Sequence, residues 1–456
     1  MRRLLSAGAT ITLALLIAAG CGGDDDSNGN GNGGGGGNDF TGEMTIGAIV
    51  PLTGGLAAFG AAGQTAAELA VREINTAQKA DGLDGEVTLA TQDGQTEEAA
   101  GRSAAEKLIR TDNASCIAGD WPSGSTIAIA KSVTVDEGVP LISPSSTDAA
   151  ITELEDDGLV FRTAPSDLVQ SEVLAKEVAK DLDGEGTVAV AAVNNAYGSA
   201  FAEAFADVAE ANGLDVLQSV LYDPKGTEFD TEADQIVEGD PDAYVVVDYP
   251  DQGWPKMGPA LQRTGVWSAD KTWGADGLRS TDLTKQLGAE ITVGMRGTAP
   301  TSVESGAADA FTKLWDDNGE GARQTYDAQN FDATMLCYLG ALAAGSTDGA
   351  DIAEQLQDVS SAPGLKVTLE NLQEGIEALQ NGDDIDYDGA SGPIDLDENG
   401  DPTAAEYEIW QYTPTTIDTL TTVPVGGDAE EADGDATGED SADTADTADT
   451  DDAGNE

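Results

Sequence analysis

From Met44 onward, short runs of β-branched and apolar residues alternate with longer stretches whose apolar positions recur at helical spacing. That alternation is the signature of parallel βαβ units. It predicts strands at 45–50, 87–92, 115–118, 141–143, 188–193, 216–222, 243–247 and 291–294. Between the first two, Ala66, Leu69, Ala70 and Ile74 fall on one face of a helix, as a crossover between parallel strands requires. The alternation pauses at two similar segments, Arg162-Thr163-Ala164-Pro165 and Arg296-Gly297-Thr298-Ala299-Pro300. Each alone reads as a loop. Flanking a self-contained run of βα units, the two together read as chain crossings between lobes. The expected division is 44–163 with 297–404 as lobe 1, and 164–296 with 405–425 as lobe 2. A chain of 456 residues exceeds one ordinary core, which agrees.

The pattern changes at both ends. Residues 1–21 read as an export signal: Arg2 and Arg3, then an apolar run too short for an ordinary bilayer span, then small residues before Cys21. Ala18-Ala19-Gly20-Cys21 resembles a lipobox, with Ala18 where Leu is usual, and the paired arginines resemble a twin-arginine signal. Cys21 is therefore the expected lipidation site, anchoring the protein on the outer face of the cytoplasmic membrane. Residues 22–43 are mostly Gly, Asp and Asn, a flexible tether. Residues 426–456 are acidic with a Thr-Ala-Asp repeat, a solvating tail to which no binding role is assigned.

Charge narrows the function. Asp and Glu number 85 against 21 Lys and Arg, for a formal charge of -64. Such a field repels nucleic acid and anionic lipid, and at low salt it repels itself. The acidic excess is the composition expected of an extreme halophile, soluble in molar salt. There is no histidine, which removes the commonest general base and metal ligand and excludes ordinary hydrolytic triads. Neither a phosphate-binding G-x-x-x-x-G-K-[ST] loop nor a G-x-G-x-x-G turn is present, so nucleotide chemistry lacks support and no cofactor or metal is expected. Asp395-Leu396-Asp397-Glu398-Asn399-Gly400-Asp401 lacks the distal Glu of an EF-hand and reads as a hairpin turn. Cys116 and Cys337 fall in the exported body, where a disulfide is possible and buried free thiols fit equally well.

In open α/β sheets, ligands sit beyond the carboxyl ends of strands, where helix starts offer free N–H groups. Two loops place hydroxyls there: Gly119-Asp120-Trp121-Pro122-Ser123-Gly124-Ser125-Thr126, and Ser143-Pro144-Ser145-Ser146-Thr147-Asp148. Helix capping is the ordinary use of such residues. Their alternative use is to hold a carboxylate through charge-assisted hydrogen bonds. A third loop, Trp273-Gly274-Ala275-Asp276-Gly277-Leu278, sets one acid among small residues; Asp before Gly is common in turns, and it is also suited to an ammonium group.

These residues carry a resemblance. Ile46-Gly47-Ala48-Ile49-Val50-Pro51-Leu52-Thr53-Gly54, the 119–126 loop, Glu137-Gly138-Val139-Pro140-Leu141-Ile142-Ser143-Pro144, Tyr197-Gly198, and Gly392-Pro393 followed by Asp397-Glu398-Asn399-Gly400-Asp401 stand in the order and spacing of a known family. From about 44 to 425 the chain resembles the leucine/isoleucine/valine-binding proteins of ABC importers. The resemblance implies a type I periplasmic binding protein fold: α/β, with two Rossmann-like lobes, central parallel sheets and interlobe crossing strands. It implies that Ser123 and Thr147, with the backbone at Ser145 and Ser146, hold an α-carboxylate, and that Asp276 meets the α-ammonium. Tyr197 and Tyr249 would close over the ligand, and Phe59 and Trp121 would line its side-chain subsite. Phe59 lacks the hydroxyl often found there, and Asp276 is shorter than the Glu of some members.

The expected function is thus a monomeric solute-binding protein, not an enzyme. It would capture a branched-chain or other apolar amino acid by hinge closure and pass it to ABC permease subunits. Rival expectations are a ligand-sensing receptor domain of the same fold, or a binder of a related small amide or carboxylate. An exported acid-assisted hydrolase is disfavoured, since the loops supply one acid among hydroxyls in place of a facing pair.

Overall fold

The structure, a computed structural model, describes residues 40–426. The export signal, Cys21, the tether up to residue 39 and the acidic tail from residue 427 lie outside the described residues. Strands β1 (Met44–Val50), β2 (Val87–Asp93), β3 (Cys116–Ala118), β4 (Leu141–Ser143) and β5 (Val160–Arg162) form one all-parallel sheet in the order β2-β1-β3-β4-β5. A second sheet holds β6 (Gly186–Val193), β7 (Leu214–Tyr222), β8 (Ala243–Val247), β9 (Thr272–Gly274) and β10 (Arg296–Thr301). A short parallel pair, β11 (Leu365–Val367) and β12 (Ile385–Tyr387), precedes β13 (Ala404–Tyr412) and β14 (Ile417–Gly426). The last two join the second sheet as an antiparallel ribbon, giving the order β14-β13-β10-β9-β8-β6-β7. The expected parallel sheet is therefore extended on one side by a hairpin that returns along β10.

Strand composition follows from burial. β8, Ala-Tyr-Val-Val-Val, is buried throughout because helices cover both faces of the sheet. In β6, Val188, Val190 and Ala192 point into one core cluster while Ala189, Ala191 and Val193 point into the other. β7 lies at the sheet edge and alternates, leaving Leu217 and Leu221 partly in solvent. The predicted helical stripe of Ala66, Leu69, Ala70 and Ile74 lies on the helix Ala57–Asp81 and is wholly or almost wholly buried. It shares a core with the helix Asp327–Ala344, which is buried on nearly every side.

One predicted strand is corrected. Residues 291–294 are not a strand; Ala289–Thr292 is a single helical turn bracketed by Gly288 and Gly294 at positive φ. The glycines break the extended path, and the strand is displaced to β10, inside the segment read from sequence as a crossing. Residues 297–301, assigned by sequence to the first lobe, are thus hydrogen-bonded into the second sheet. Pro300 is accommodated because β10 pairs with β9 only through Arg296 and Gly297, so its missing N–H faces no partner strand there.

The chain passes between the two sheets near Thr163 and Pro165, near Thr301 and Val303, and near Pro402 and Ala404, and these residues line one small cavity. A buried ion pair fastens this region. Arg162, at the end of β5, is fully buried and grips Asp401 bidentately, with Nε to Oδ1 at 2.5 Å and Nη2 to Oδ2 at 2.6 Å. Its remaining N–H groups donate to the carbonyls of Asp148 and Ser146 and to the Thr152 hydroxyl. Asp401 is delivered by the hairpin turn anticipated at 395–401, in which Asp397 N–H donates to Asp401 O and Gly400 N–H to Asp397 O. Gly400 has φ 75° and lies so close to β5 that a Cβ would meet Val160 O at 2.6 Å, so no other residue fits.

The disulfide left open by the sequence is formed in the structure: Cys116 of β3 joins Cys337 of the helix Asp327–Ala344 across 221 residues, with Cα atoms 5.6 Å apart. Closing so long a loop removes about 5 kcal/mol of unfolded-state entropy in the chain model.

Removing one member of a buried pair leaves the other charged and unmatched, at a cost of about 3–5 kcal/mol. Asp401→Ala is therefore expected to lower stability by that order in denaturant titration at molar salt. A loss comparable to that of a surface acid would refute the role.

Candidate functional site

The loops that follow β3 and β4 are stitched into one surface. Ser143 Oγ donates to Asp120 O at 2.6 Å and accepts from Ser146 N–H; Thr126 and Ser146 pair their hydroxyls at 2.8 Å; Ser146 Oγ reaches Trp121 O at 3.0 Å. Beneath them Asp120 accepts from its neighbour's N–H and from Ser125 Oγ, and burial raises its pKa to about 6 against those hydrogen bonds. Most of the hydroxyls picked out in these loops are therefore structural. Ser145 Oγ donates to Trp121 O, and Ser123 Oγ accepts from Asp148 N–H. Thr147 Oγ1 is buried without a hydrogen-bond partner.

Opposite this surface stands the second lobe's contribution. Tyr197 begins the helix Ala196–Ala209, capped by Asn195, and stacks flat on Tyr249 at 5.3 Å between ring centres. Tyr249 follows β8, held by Asp248, which accepts its N–H and the Tyr222 hydroxyl; burial raises the Asp248 pKa to about 7. Asp276, two residues past β9, is buried and has no cation beside it among the described residues. Tyr197 OH donates to one of its oxygens and Tyr326 OH to the other, each at 2.8 Å. Burial raises its pKa, and the two tyrosine hydrogen bonds pull in the opposite direction.

Of the residues proposed from sequence, Phe59, Trp121, Ser123, Ser145, Tyr197, Tyr249 and Asp276 surround one cavity of about 20 Å³. Ser146 and Thr147 do not line it. The Ser146 hydroxyl joins the two loops and its N–H donates to Ser143 within its own loop, whereas Thr147 sits just behind, facing Asp167.

Three residues escaped sequence reasoning. Leu56 and Tyr326 line the cavity, and Tyr326 approaches Trp121 edge-on. Tyr326 adopts φ 71° at the start of its helix, a conformation that is costly for an aromatic residue and concentrates at functional sites. Tyr326 also borders a wider hollow of about 450 Å³ lined by Arg279, Arg323 and Glu408. The third is Asp167. In sequence it is an ordinary first-turn acid after the N-cap Ser166, and Ser166 does cap that helix. Its carboxylate is nevertheless buried, with Thr147 facing it and no cation paired to it among the described residues, and is raised well above the usual range, first by burial and then by the charge of Asp276. Polar atoms without partners gather here: Trp121 Nε1, Thr147 Oγ1, both Asp167 oxygens, Gln170 Oε1 and Tyr407 OH.

The cleft is closed. Ala58 N–H donates to Asp251 Oδ2 at 3.1 Å, and Asp251 N–H donates to Gly55 O at the same distance, joining the two sides of the mouth. The remaining 20 Å³ has room for about one water. A larger ligand enters only when the lobes part.

Two α/β lobes closing on a pocket of hydroxyls, aromatic rings and a lone acid define a solute-binding protein of the periplasmic type. The chain belongs to the periplasmic binding protein family, whose sequence pattern matches residues 43–403. It is similar to the chemotactic signal transduction system substrate-binding protein BasB of Halobacterium salinarum, with 28% identity over 82% of this chain and 88% of that one. It is equally similar to the Leu/Ile/Val-binding protein BraC3 of Rhizobium johnstonii, with 28% identity over 81% and 92%. The crystal structure of the branched-chain amino acid transporter substrate-binding protein LivJ from Streptococcus pneumoniae, in complex with isoleucine, superposes with a TM-score of 0.68 at 22% identity, covering 84% of this chain and 100% of that one. Among the described residues no helix is long and apolar enough to cross a membrane.

The Asp251 side chain spans the mouth of the cleft, so parting the lobes would break its bond to Ala58 N–H, and a hydrogen bond of this kind contributes about 0.5–1.5 kcal/mol. Asp251→Ala is expected to weaken ligand affinity by about two- to tenfold, chiefly through faster release. Stopped-flow dissociation rates equal to wild type would contradict this.

Proposed function

We propose that this protein is the extracytoplasmic capture component of an ABC importer, and that it binds an α-amino acid with an apolar side chain between its lobes. The carrying observation is Asp276: a buried acid with a tyrosine hydroxyl on each oxygen and no cation, facing the hydroxyl-bearing loops of the other lobe. An ammonium group supplies the missing charge. Ser123 Oγ, whose hydrogen is free, and the backbone beside Ser145 receive the carboxylate, while Leu56, Phe59 and Trp121 give the side chain an apolar wall. Each charge of the zwitterion needs its partner, because burying an unmatched ion costs several kcal/mol. A ligand gripped from both lobes favours the closed form, and its differential affinity drives the hinge.

Lobe 1 comprises 44–163 and 297–404 in this reading, apart from β10, and lobe 2 comprises 164–296 and 405–425. The protein acts as a monomer tethered through lipid on Cys21, in molar salt, and presents its closed face to permease subunits. The isoleucine complex of LivJ and the Leu/Ile/Val-binding name of BraC3 support an apolar amino acid. A second reading is favoured by BasB: the closed form signals to a chemotactic receptor, alone or in addition to a permease.

Asp276→Ala is expected to abolish amino-acid binding with the fold intact. Calorimetry in molar salt against a panel of amino acids, amides and small acids tests this, and unchanged affinity would remove Asp276 from the site. Cys21→Ser is expected to move the protein from the membrane to the soluble fraction; retention of the variant would point to an uncleaved anchor.

A further inference from the structure

The wider hollow beyond Tyr326 takes no part in the capture of an amino acid. Its volume, about 450 Å³, is that of a small-molecule site. Tyr326 is the one residue that lines both it and the small cavity at Asp276. Residues 323–329, which lead into the helix Asp327–Ala344, form one wall. Residues 279–285 beyond β9 and the β13–β14 hairpin form the other, and the end of β10 completes the lining. Two hydrogen bonds join the walls: Gln324 Nε2 donates to Thr281 Oγ1 at 2.7 Å, and Thr325 Oγ1 to Arg279 O at 3.3 Å.

In a chain with 85 acids and 21 cations, this hollow has an excess of positive charge, with Arg279, Lys285 and Arg323 set against Asp327 and Glu408. Two of the cations are already committed. Arg323 places Nε and Nη2 on Asp327 at 2.6 and 2.7 Å and Nη1 on Thr312, and Lys285 pairs with Asp282. Arg279 differs. Its Nε stands against Glu408, and its two terminal nitrogens have no acceptor among the described residues. Glu408 is buried and also takes the Thr419 hydroxyl, so it fixes the guanidinium from one edge and leaves the terminal fork unused.

Other polar groups around the hollow are uncommitted as well. The hydroxyls of Thr301 and Ser302 make no hydrogen bond among the described residues, and neither does the side-chain amide of Gln329, a residue only 4% exposed. The helix Asp327–Ala344 begins here without a side-chain cap, and the Ala328 and Gln329 N–H groups find no acceptor among the described residues. Gln324 Oε1 is buried without a donor. Buried polar groups are ordinarily satisfied, and a set of donors gathered around one cavity calls for an acceptor inside it.

We propose that this hollow is a second binding site, for a small hydroxylated carboxylate, and that its occupant steadies the closed form. The carboxylate takes the terminal fork of Arg279 in the bidentate geometry that a planar guanidinium favours. Thr301, Ser302 and the helix N–H groups serve the remaining oxygens, and a ligand hydroxyl donates to Gln324 Oε1. Because the two walls come from either side of the cleft, an occupant that touches both favours closure and thereby raises the affinity of the first site. This coupling rests on the amino-acid reading above, whereas the site itself does not.

Calorimetry on the full chain in molar potassium chloride tests the site, with D-gluconate and citrate as probes and D-sorbitol as the uncharged counterpart of gluconate. At least one of the two anions should bind, and sorbitol should not. Arg279→Lys keeps a charge beside Glu408 but loses the fork, and should weaken the binding about tenfold or more. Ser302→Trp fills the hollow from a side chain that holds nothing in place, and should abolish it. Should Arg279→Lys fail to fold, Ser302→Trp carries the test. The bound anion should also tighten L-isoleucine about fivefold or more, an enhancement that Ser302→Trp removes. No saturable binding of either anion, equal binding of sorbitol, or anion binding untouched by the variants would overturn the site. Anion binding that leaves isoleucine affinity unchanged would overturn the coupling. Anion binding without any isoleucine binding would instead count against the amino-acid reading and leave the second site standing.

Discussion

The structure is organised around a carboxylate deprived of its counter-ion. Asp276 is surrounded by aromatic rings and receives two phenolic hydrogen bonds, enough to fix its direction but not to cancel its charge. The protein does satisfy acids elsewhere. Asp332 accepts from Tyr387, from the Ala390 and Ser391 N–H groups and from the Ser391 hydroxyl; Asp120 and Asp248 are held comparably by their own loops. Those three are struts. Asp276 differs from them in place: its two donors, Tyr197 and Tyr326, line the same closed cavity, and no cation among the described residues stands beside it.

The supporting parts follow from that demand. An acid can be kept dry only if the surrounding loops do not sag, and the hydroxyls of Ser143, Ser146 and Thr126 hold two loops against each other while Arg162 collects the carbonyls of the second. Arg162 would itself disturb the pocket if left free. Asp401, brought from more than two hundred residues away by a glycine-dependent turn, neutralises it. The same ion pair thus stiffens the loop and withholds the nearest positive charge from the site.

Local patterning made much of the fold legible. β4 and β8 begin and end where β-branched runs do, and the stripe from Ala66 to Ile74 faces the core. The failure at 291–294 was also local: an apolar pair between glycines looks like a strand until the glycine backbone angles are known. The loops of the site were legible because hydroxyls crowd the ends of β3 and β4. Which hydroxyl is structural was not legible, since Ser145 and Ser146 differ by one position but face different partners. Asp167 and Tyr326 stayed hidden because each has an innocent local role, a first-turn acid and a residue before a helix. Tyr326 pairs with Asp276, 50 positions away, and Asp167 is buried against the 143–148 loop, its N–H donating to Thr147 O.

The disulfide has a mechanical corollary. Cys116 lies at the base of the strand that leads to Trp121 and Ser123, and Cys337 lies in the helix that begins beside Tyr326. The cross-link welds those two walls into one plate, so when the clamshell swings open Trp121 and Tyr326 stay together and the Tyr326–Asp276 contact is the seam that tears. In the proposed capture that plate forms one half of the socket, and Asp276, which follows β9 in the second sheet, would close it as the latch.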